Sequence, residues 1–228
     1  MNAIHVRFAA FTASFRHPLS LTGMQISTPM PPFSTLLGLI GACAGRIITP
    51  DDTRIGFEFR ASCSDREIER TNRFQFERGI LREHRDGQSI MARQVHFNPV
   101  LDLYLTNVGL KDDFKAPMST PYLGRSQDIA WIEFVRDVVL EPVNEGDIGP
   151  SMLPQTFRAR GLVLRLPEWI ENEKLGYTRR TGPFVSFICD VPTNRAKVRA
   201  KGPNLFHSSD MEFPSDAVYI HSWSAKSA

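Results

Sequence analysis

The sequence has little cysteine and no pattern that would use it. Its three cysteines, Cys43, Cys63 and Cys189, are widely spaced, and no Cys-x-x-Cys pair occurs. Zinc ribbons, thioredoxin-like sites and disulfide-rich scaffolds need paired or clustered cysteines. The sequence therefore argues against all three classes, and we expect neither a metal site nor another cofactor.

Long apolar runs and targeting signals are also lacking. The most apolar stretch, residues 36–44, is too short and too rich in glycine to span a bilayer. Residues 1–16 lack the basic start and apolar core of a signal peptide, and no N-x-Ser/Thr sequon occurs. We expect a cytoplasmic protein that does not contact a membrane.

Lysine is scarce, whereas arginine is abundant: the chain has 27 lysines and arginines together, of which 21 are arginine, and a net charge of only +2. The planar arginine fork suits phosphates and stacks on bases, although an arginine-rich proteome would give the same composition. Residues 174–201 carry seven positive side chains and one acidic side chain. We predict phosphate contacts there, including Arg179 and Arg180; the alternative is a solvated basic face.

The 228 residues, of which 42% are hydrophobic and 23% charged, have the composition of a globular protein with one large or two small domains. Hydrophobic periodicity predicts one helix over residues 33–45. Strands are predicted at residues 4–11, 55–61, 94–106, 131–140, 157–166, 184–191 and 217–223. The pattern therefore predicts a chain with many strands and one helix.

The segment from residue 65 to 96 combines seven arginines with six acidic residues. Phe74 and Phe76 alternate as in a strand, whereas Ser64 and Glu67 have the spacing of a helical capping box. Gly79 and the Asp86-Gly87 pair are turn signals. We favour a long projecting hairpin, which is either an exposed surface ribbon or a contact arm for RNA or another subunit.

The helix over residues 33–45 follows a pair of prolines, and Ser34 or Thr35 would cap it. Gly38, Gly41 and Gly45 each disfavour a helix by about 1 kcal/mol relative to alanine, so they indicate a close approach to a sheet or to a ligand. The free amides at the start of the helix would also suit a phosphate.

Four features in this order resemble a known family. They are the first strand followed by Ser14-Phe15-Arg16, the run PPFSTLLGLIGA from Pro31, the arginine-rich insertion, and the loop YLGRS from Tyr122. Over residues 4–140 the chain resembles the RAMP-superfamily subunit that caps the crRNA 5′ end in type I CRISPR Cascade complexes. This is the fifth Cas family, and the resemblance is greatest to subtypes I-A and I-B.

The resemblance implies an RRM-like, ferredoxin-type α+β domain over residues 1–142, with a β-hairpin thumb at about 65–96. A smaller, β-rich part would follow over residues 143–228. Such a subunit binds the crRNA 5′ handle, caps the filament of backbone subunits and docks the large subunit. It reaches target DNA near the protospacer-adjacent motif only through the complex.

On this basis we expect RNA contacts from residues in five places. They are Arg16, the helix start at Ser34 and Thr35, the loop residues Gly124, Arg125 and Ser126, the insertion residues Arg66, Arg70 and Arg73, and the basic pair Arg179 and Arg180. Phe15, Phe33 and Tyr122 are either platforms for base stacking or core residues.

We expect no catalytic residues. One branch of the family cuts precursor crRNA without a metal, so an endoribonuclease is the alternative. Such cleavage needs a general base and a general acid. The candidates are His17, His84, His96, His207, His221, Tyr104 and Tyr177. A third option is an unrelated α+β enzyme that binds a phosphorylated metabolite at the start of its glycine-rich helix.

Overall fold

The computed structural model describes residues 1–17, 24–157, 162–171, 178–186, 198–209, 211 and 215–223; for residues 171 and 178–186 it describes the backbone alone. The strands and helices in chain order are β1 (Asn2–Ala10), β2 (Thr12–Ala13), α1 (Phe33–Ala44), β3 (Ile55–Arg60), β4 (Cys63–Glu77), β5 (Ile80–Phe97), β6 (Val100–Leu105), α2 (Lys111–Lys115), β7 (Ala130–Val139), β8 (Glu141–Ile148), β9 (Met152–Pro154), β10 (Leu162–Glu171), β11 (Thr178–Ser186), β12 (Val198–His207) and β13 (Val218–Tyr219). Single 3₁₀ turns occupy Val108–Leu110 and Gln155–Phe157.

The central sheet has four strands in the order β3-β6-β1-β7, and every pair is antiparallel. α1 connects β1 to β3, and α2 connects β6 to β7, so the unit has the order β-α-β-β-α-β. The predicted strands at 4–11, 55–61 and 131–140 are confirmed as β1, β3 and β7 within two residues at each end. The arrangement is α+β, as predicted.

Both helices cover one face of this sheet because alternate residues of β1 are apolar. Ile4, Val6 and Phe8 point to that face and are fully buried in one core with the apolar side of α1. The predicted helix is confirmed at Phe33–Ala44. α2 is not among the predicted elements, since a five-residue helix is too short for a periodic pattern. Its Phe114 packs edge-on against Phe8 at 6.0 Å.

The predicted hairpin is confirmed as β4 and β5, which we call the thumb. Its two strands have 15 and 18 residues, so β4 extends over about 45 Å. Arg78 and Gly79 both have positive φ, +50° and +79°, as a two-residue hairpin turn with a right-handed strand twist requires. The Asp86-Gly87 pair is not the turn. It lies in a bulge of β5, where pairing shifts between Asn72 and Phe74 of β4.

The single strand predicted over residues 94–106 is wrong. β5 ends at Phe97 and β6 begins at Val100, with a sharp turn between them. Asn98 has a φ of +46°, and Pro99 has no amide to continue a strand ladder. The turn returns the chain from the thumb to the central sheet.

The rest of the chain forms two small antiparallel sheets, β10-β11-β9 and β13-β12-β8. The strands predicted at 157–166, 184–191 and 217–223 overlap β10, β11 and β13 respectively, but their bounds differ. Residues 158–161 and 187–191 lie outside the described part. β8, β9 and β12 were not predicted. Val218 and Ile220 pack on the second face of the central sheet, against Ala3 and Tyr104.

Charged side chains also lie on that second face, around the buried carboxylate of Asp102. It accepts hydrogen bonds from His5 Nε2 at 2.8 Å and Arg7 Nε at 2.7 Å, and it pairs with Arg60. Burial alone would raise the pKa of Asp102, but the hydrogen bonds from His5 and Arg7 and the charge of Arg60 outweigh it and lower the pKa. Asp102 therefore holds three strands, β1, β3 and β6, together as a carboxylate.

Replacing Asp102 by asparagine should lower the free energy of unfolding by about 3–5 kcal/mol, because it removes one partner of a buried charge cluster. Since the folded pKa lies below the ordinary value of about 3.9, this stabilisation is present above that pH and is lost as the pH falls through the lowered pKa. Denaturant unfolding at several pH values measures both effects, and the asparagine variant should show a flatter acid limb. The control is Asp137→Asn at an exposed pair with Lys111, which should cost less than about 1 kcal/mol. An equal loss in both variants would contradict the assignment.

Candidate nucleic-acid interface

The glycine-rich helix and the YLGRS loop, which are about 80 residues apart in sequence, lie together in the structure. They enclose a cavity of about 200 Å³, called here the α1 cavity. Its lining residues are Thr35, Gly38, Leu39, Ala42, Tyr122 and Gly124. Two of the predicted RNA contacts, Thr35 and Gly124, therefore share one site.

Residues 121–129, which we call the pre-β7 loop, are held in place by a buried carboxylate. Asp128 is fully buried and accepts a hydrogen bond from Thr12 Oγ1 at 2.7 Å. The Leu123 amide donates to the Asp128 carbonyl at 2.8 Å, and the Ser14 amide donates to the Leu123 carbonyl at 3.2 Å. The loop is thereby attached to the chain that follows β1.

Gly124 has a structural reason to be glycine. Its φ is +109°, and a Cβ there would lie 2.1 Å from the Ser14 carbonyl oxygen. The close approach that the structure shows at Gly124 is therefore to Ser14. A contact between the Gly124 backbone and RNA stays a prediction.

Arg125 connects the pre-β7 loop to the thumb. Its guanidinium forms a bidentate pair with Asp128, at 2.9 Å and 2.8 Å, and donates to Glu67 of β4 at 3.2 Å. The hydrogen bonds with Asp128 raise the pKa of Arg125 above its ordinary value. The side chain is only 11% exposed. RNA binding by Arg125 stays a prediction, and in the described structure its donors bind carboxylates of the protein.

The start of α1 differs from the prediction in its capping. The N-cap residue is Pro32, and no side chain caps the helix, so neither Ser34 nor Thr35 does so. The amides of Thr35 and Leu36 donate to the Pro32 carbonyl, at 2.9 Å and 3.1 Å. A fixed proline φ replaces a capping hydroxyl here, which leaves the half-buried side chains of Ser34 and Thr35 at the surface.

One face of the thumb combines cationic and apolar side chains with one asparagine. Alternate residues of a strand share a face, and on β4 from residue 66 onward these are Arg66, Ile68, Arg70, Asn72, Phe74 and Phe76. The three apolar side chains are 59–76% exposed, and Leu81 and Ile90 lie opposite Phe76 and Arg70 on β5. Arg70 donates to Gln88 at 2.6 Å, whereas among the described residues the Arg66 side chain has no partner. Arg73 lies on the other face, 3.9 Å from Asp86.

The remaining predicted contacts lie apart from the α1 cavity. Arg16 is exposed and pairs through its backbone with Ser27, beyond β2 rather than at the end of β1. Ser126 is exposed in the pre-β7 loop. Arg179 and Arg180 lie in β11 opposite β10, and their side chains are outside the described part. Most of the predicted basic patch at 174–201 is also outside it.

Two of the three aromatic candidates belong to the core. Phe15 and Phe33 are 2% and 1% exposed, and the Phe33 ring stacks on His221 at 4.1 Å. Tyr122 is 45% exposed at the wall of the α1 cavity. Of the three, only Tyr122 can offer its ring to a base without a rearrangement of the core.

The described acid–base candidates have structural partners. The Nε2 of His96 donates to the Thr28 carbonyl at 2.8 Å, its Nδ1 accepts from Ser64 at 2.7 Å, and burial lowers its pKa. His221 is buried and bonds Glu168 at 2.7 Å. Burial also raises the pKa of Tyr104. His84 lies in the thumb, 3.7 Å from Asp86, and His207 bonds the Asp216 carbonyl. The His17 amide donates to the Ile26 carbonyl at 2.9 Å, and Tyr177 is outside the described residues.

Sequence reasoning missed Arg136 and Phe134 on β7. The Arg136 guanidinium lies 3.7 Å from the centre of the Phe134 ring, and in the described part of the chain this is its only partner. A stacked, half-buried arginine with unused donors suits a phosphate or a base edge. The sequence signal was only that Phe134 and Arg136 are two residues apart on a strand, and this spacing is too common to identify a site.

A second groove of about 500 Å³ lies between α2 and β7, and none of the predicted contacts lines it. Its walls include Phe114, Lys115, Pro121, Trp131 and Val135. β7 is the edge of the central sheet, and no described strand pairs with its outer side. Such an edge is open to another protein chain.

No group of histidine, cysteine, aspartate and glutamate side chains among the described residues could hold a metal ion. No described helix is long and apolar enough to cross a membrane.

Two solved structures have folds similar to that of this chain. A chain titled "CRISPR RNA-guided surveillance complex" has a TM-score of 0.55 and 19% identity, over 88% of this chain and 91% of that chain. A CRISPR protein from Archaeoglobus fulgidus has a TM-score of 0.51 and 11% identity, over 98% of this chain and 100% of that chain. This chain has the fold of CRISPR-associated proteins. The predicted resemblance is thereby confirmed for the fold, and the subtype stays a prediction.

No family model and no curated protein sequence matches the chain. The likeness to CRISPR-associated proteins therefore lies in the path of the backbone, at an identity below one residue in five. Sites have to be assigned from the side chains of this chain.

Removal of the Arg125 guanidinium should loosen the base of the thumb. In Arg125→Ala the buried Asp128 is deprived of a bidentate partner, and we expect the unfolding free energy to fall by about 2 kcal/mol or more. Hydrogen exchange should rise at the pre-β7 loop and at Glu67–Glu69, while the central sheet keeps its protection. The control is Arg93→Gln, which removes a pair with Glu69 inside the thumb but no bond to the loop. Unchanged exchange at the loop in Arg125→Ala would show that the link does not hold the loop in place.

Proposed function

We propose that this chain is a non-catalytic RNA-binding subunit of a type I CRISPR Cascade complex. It would bind the 5′ handle of the crRNA, cap the filament of backbone subunits and dock the large subunit for DNA targeting. The observation that carries the proposal is the CRISPR-associated fold, together with a projecting thumb and a cavity formed by two of the predicted contact segments.

The strand order supports an RRM-like, ferredoxin-type domain over residues 1–142. A β-α-β-β-α-β unit with the sheet order β3-β6-β1-β7 places the first strand between the third and fourth strands of the unit. The thumb is inserted between β3 and β6, and the β-rich remainder over 143–228 would be the smaller part. Both residue ranges are those that the resemblance implies.

The surface chemistry supports RNA as the ligand. Single-stranded RNA is bound by cations that follow its phosphates and by rings that stack on its bases. The thumb face with Arg66, Ile68, Arg70 and two phenylalanines supplies both. In this proposal the other predicted residues add contacts: Arg16, Ser34, Thr35, Arg73, Gly124, Arg125, Ser126, Arg179 and Arg180. Arg125 also positions the thumb.

Partner subunits would use the surfaces that RNA does not. The unpaired edge of β7 and its apolar groove suit a protein chain, because backbone amides and large apolar side chains lie side by side there. We assign this edge to the backbone or large subunit, and target DNA would be reached only through them.

A binding titration with RNA tests the proposal. The protein is mixed with labelled RNA of the CRISPR repeat of its host, in EDTA, alone and co-expressed with the backbone and large subunits. The RNA is then run on a denaturing gel. We expect intact RNA held by the protein or the assembled complex. Cleavage of the RNA by this protein alone would identify the endoribonuclease instead, and absence of RNA from both samples would overturn the proposal.

The thumb arginines give a residue-level prediction. Arg66→Gln with Arg70→Gln should weaken RNA binding and reduce the slope of log affinity against log salt by about 0.7 for each phosphate that the protein no longer neutralises. The matched control is the double variant Arg46→Gln with Lys111→Gln, which removes the same two charges at exposed pairs with Asp52 and Asp137, and neither residue is a predicted RNA contact. Fluorescence anisotropy at three or more salt concentrations measures the slopes. Equal slopes in all variants would exclude binding of phosphates by the thumb.

A further inference from the structure

We propose that the α1 cavity is a pocket for a single unpaired RNA base, which stacks on Tyr122. This inference rests on the proposed function and adds to it the ligand of one site. The pocket would read or hold one nucleotide, whereas the thumb would contact the phosphates of several.

The size of the cavity suits one ring system. Its volume of about 200 Å³ corresponds to about seven water molecules at about 30 Å³ each. That is below the range of about 300–1,000 Å³ for pockets that take drug-sized ligands. One heteroaromatic base fits such a space, and a stack of two does not.

The walls have the chemistry of a base pocket. Leu39 and Ala42 form an apolar side, and the half-exposed Tyr122 ring offers a stacking surface. Among the described residues, the hydroxyl groups of Thr35 and Tyr122 have no hydrogen-bond partner. They are therefore available to the polar edge of a base.

Gly38 leaves the pocket open. It lies in the interior of α1, where glycine is less stable than alanine by about 1 kcal/mol. A Cβ at Gly38 would meet no atom within 4 Å, so no packing inside the described protein requires glycine. Gly41 is different, because its Cβ would lie 2.9 Å from the Arg46 carbonyl oxygen. At Gly38 the missing side chain makes room for something outside the chain.

The position of the pocket favours a nucleotide over a protein side chain. Thr35 belongs to the first turn of α1, a helix of 12 residues with no acidic residue in that turn. The positive end of the helix dipole is therefore not neutralised by the helix itself, and it attracts an anion. A flat ring on Tyr122 with a phosphate beside the helix start is the shape of one nucleotide.

The test has two parts: protein variants with a side chain that fills the pocket, and RNAs that lack the base which would enter it. Gly38→Leu should place its side chain in the cavity, and Gly38→Ala is the matched control that leaves most of the space. Both should melt at or above the temperature of the wild type, because each removes a helical glycine. We expect Gly38→Leu to weaken binding of the repeat RNA by about 5- to 150-fold, the range of one stacked base, and Gly38→Ala to bind as the wild type does.

A series of RNAs, each lacking one base at a different position of the handle, then locates the nucleotide. One position should lose affinity with wild-type protein, by a factor similar to that of Gly38→Leu. The same abasic RNA should bind Gly38→Leu no more weakly than the intact RNA does, because the two changes remove one interaction. Tyr122→Leu should share this non-additivity.

The other outcomes each have a definite reading. If Gly38→Leu binds RNA as the wild type does and no single base matters, the base pocket is wrong while the proposed function stands. Weakened binding by Gly38→Leu with no sensitive base, or a loss of subunit assembly with normal RNA binding, would overturn the base pocket too. If wild-type protein, alone and in the complex, binds no RNA, the proposed function fails and this inference fails with it.

Discussion

The arrangement of the candidate interface depends on one buried carboxylate, that of Asp128. It binds Thr12 on β2, the backbone of its own loop and the guanidinium of Arg125. Through Arg125 it also reaches Glu67 on the thumb. A fully buried charge must be paired to be tolerated, so this set of bonds forms as a unit. The wall of the α1 cavity and the base of the thumb are thereby held in one geometry.

The second face of the central sheet is occupied in this chain. In many RNA-binding domains with an antiparallel sheet, this is the face on which bases stack. Here Asp102 and its partners fill part of it, and Val218 and Ile220 of the following sheet cover another part. We therefore place the proposed RNA contacts at the thumb and at the start of α1. On the edge strand β7, Arg136 stacks on the Phe134 ring and keeps donors that could contact RNA, so it is the exception among the described residues.

Gly124 and Gly38 lie in the two segments that carry the family resemblance, and the structure explains them differently. Gly124 is required by the protein itself, because of its φ and the nearby Ser14 carbonyl. Gly38 is required by nothing in the described structure. A sequence pattern treats both as glycine in a motif, but only the second leaves space for a ligand. This difference is the reason that the base pocket is centred on α1 rather than on the loop backbone.

The sequence by itself determined the helix at Phe33–Ala44, the first strands and the thumb, because each depends on local periodicity or on turn residues. It could not determine which charges pair, since Arg125 and Glu67 are 58 residues apart and look like any other exposed pair. It also could not place Tyr122 beside Gly38, or bury Phe15 and Phe33. Those contacts arise when the sheet brings distant segments together, and only the tertiary structure decides which side chains then lose their water.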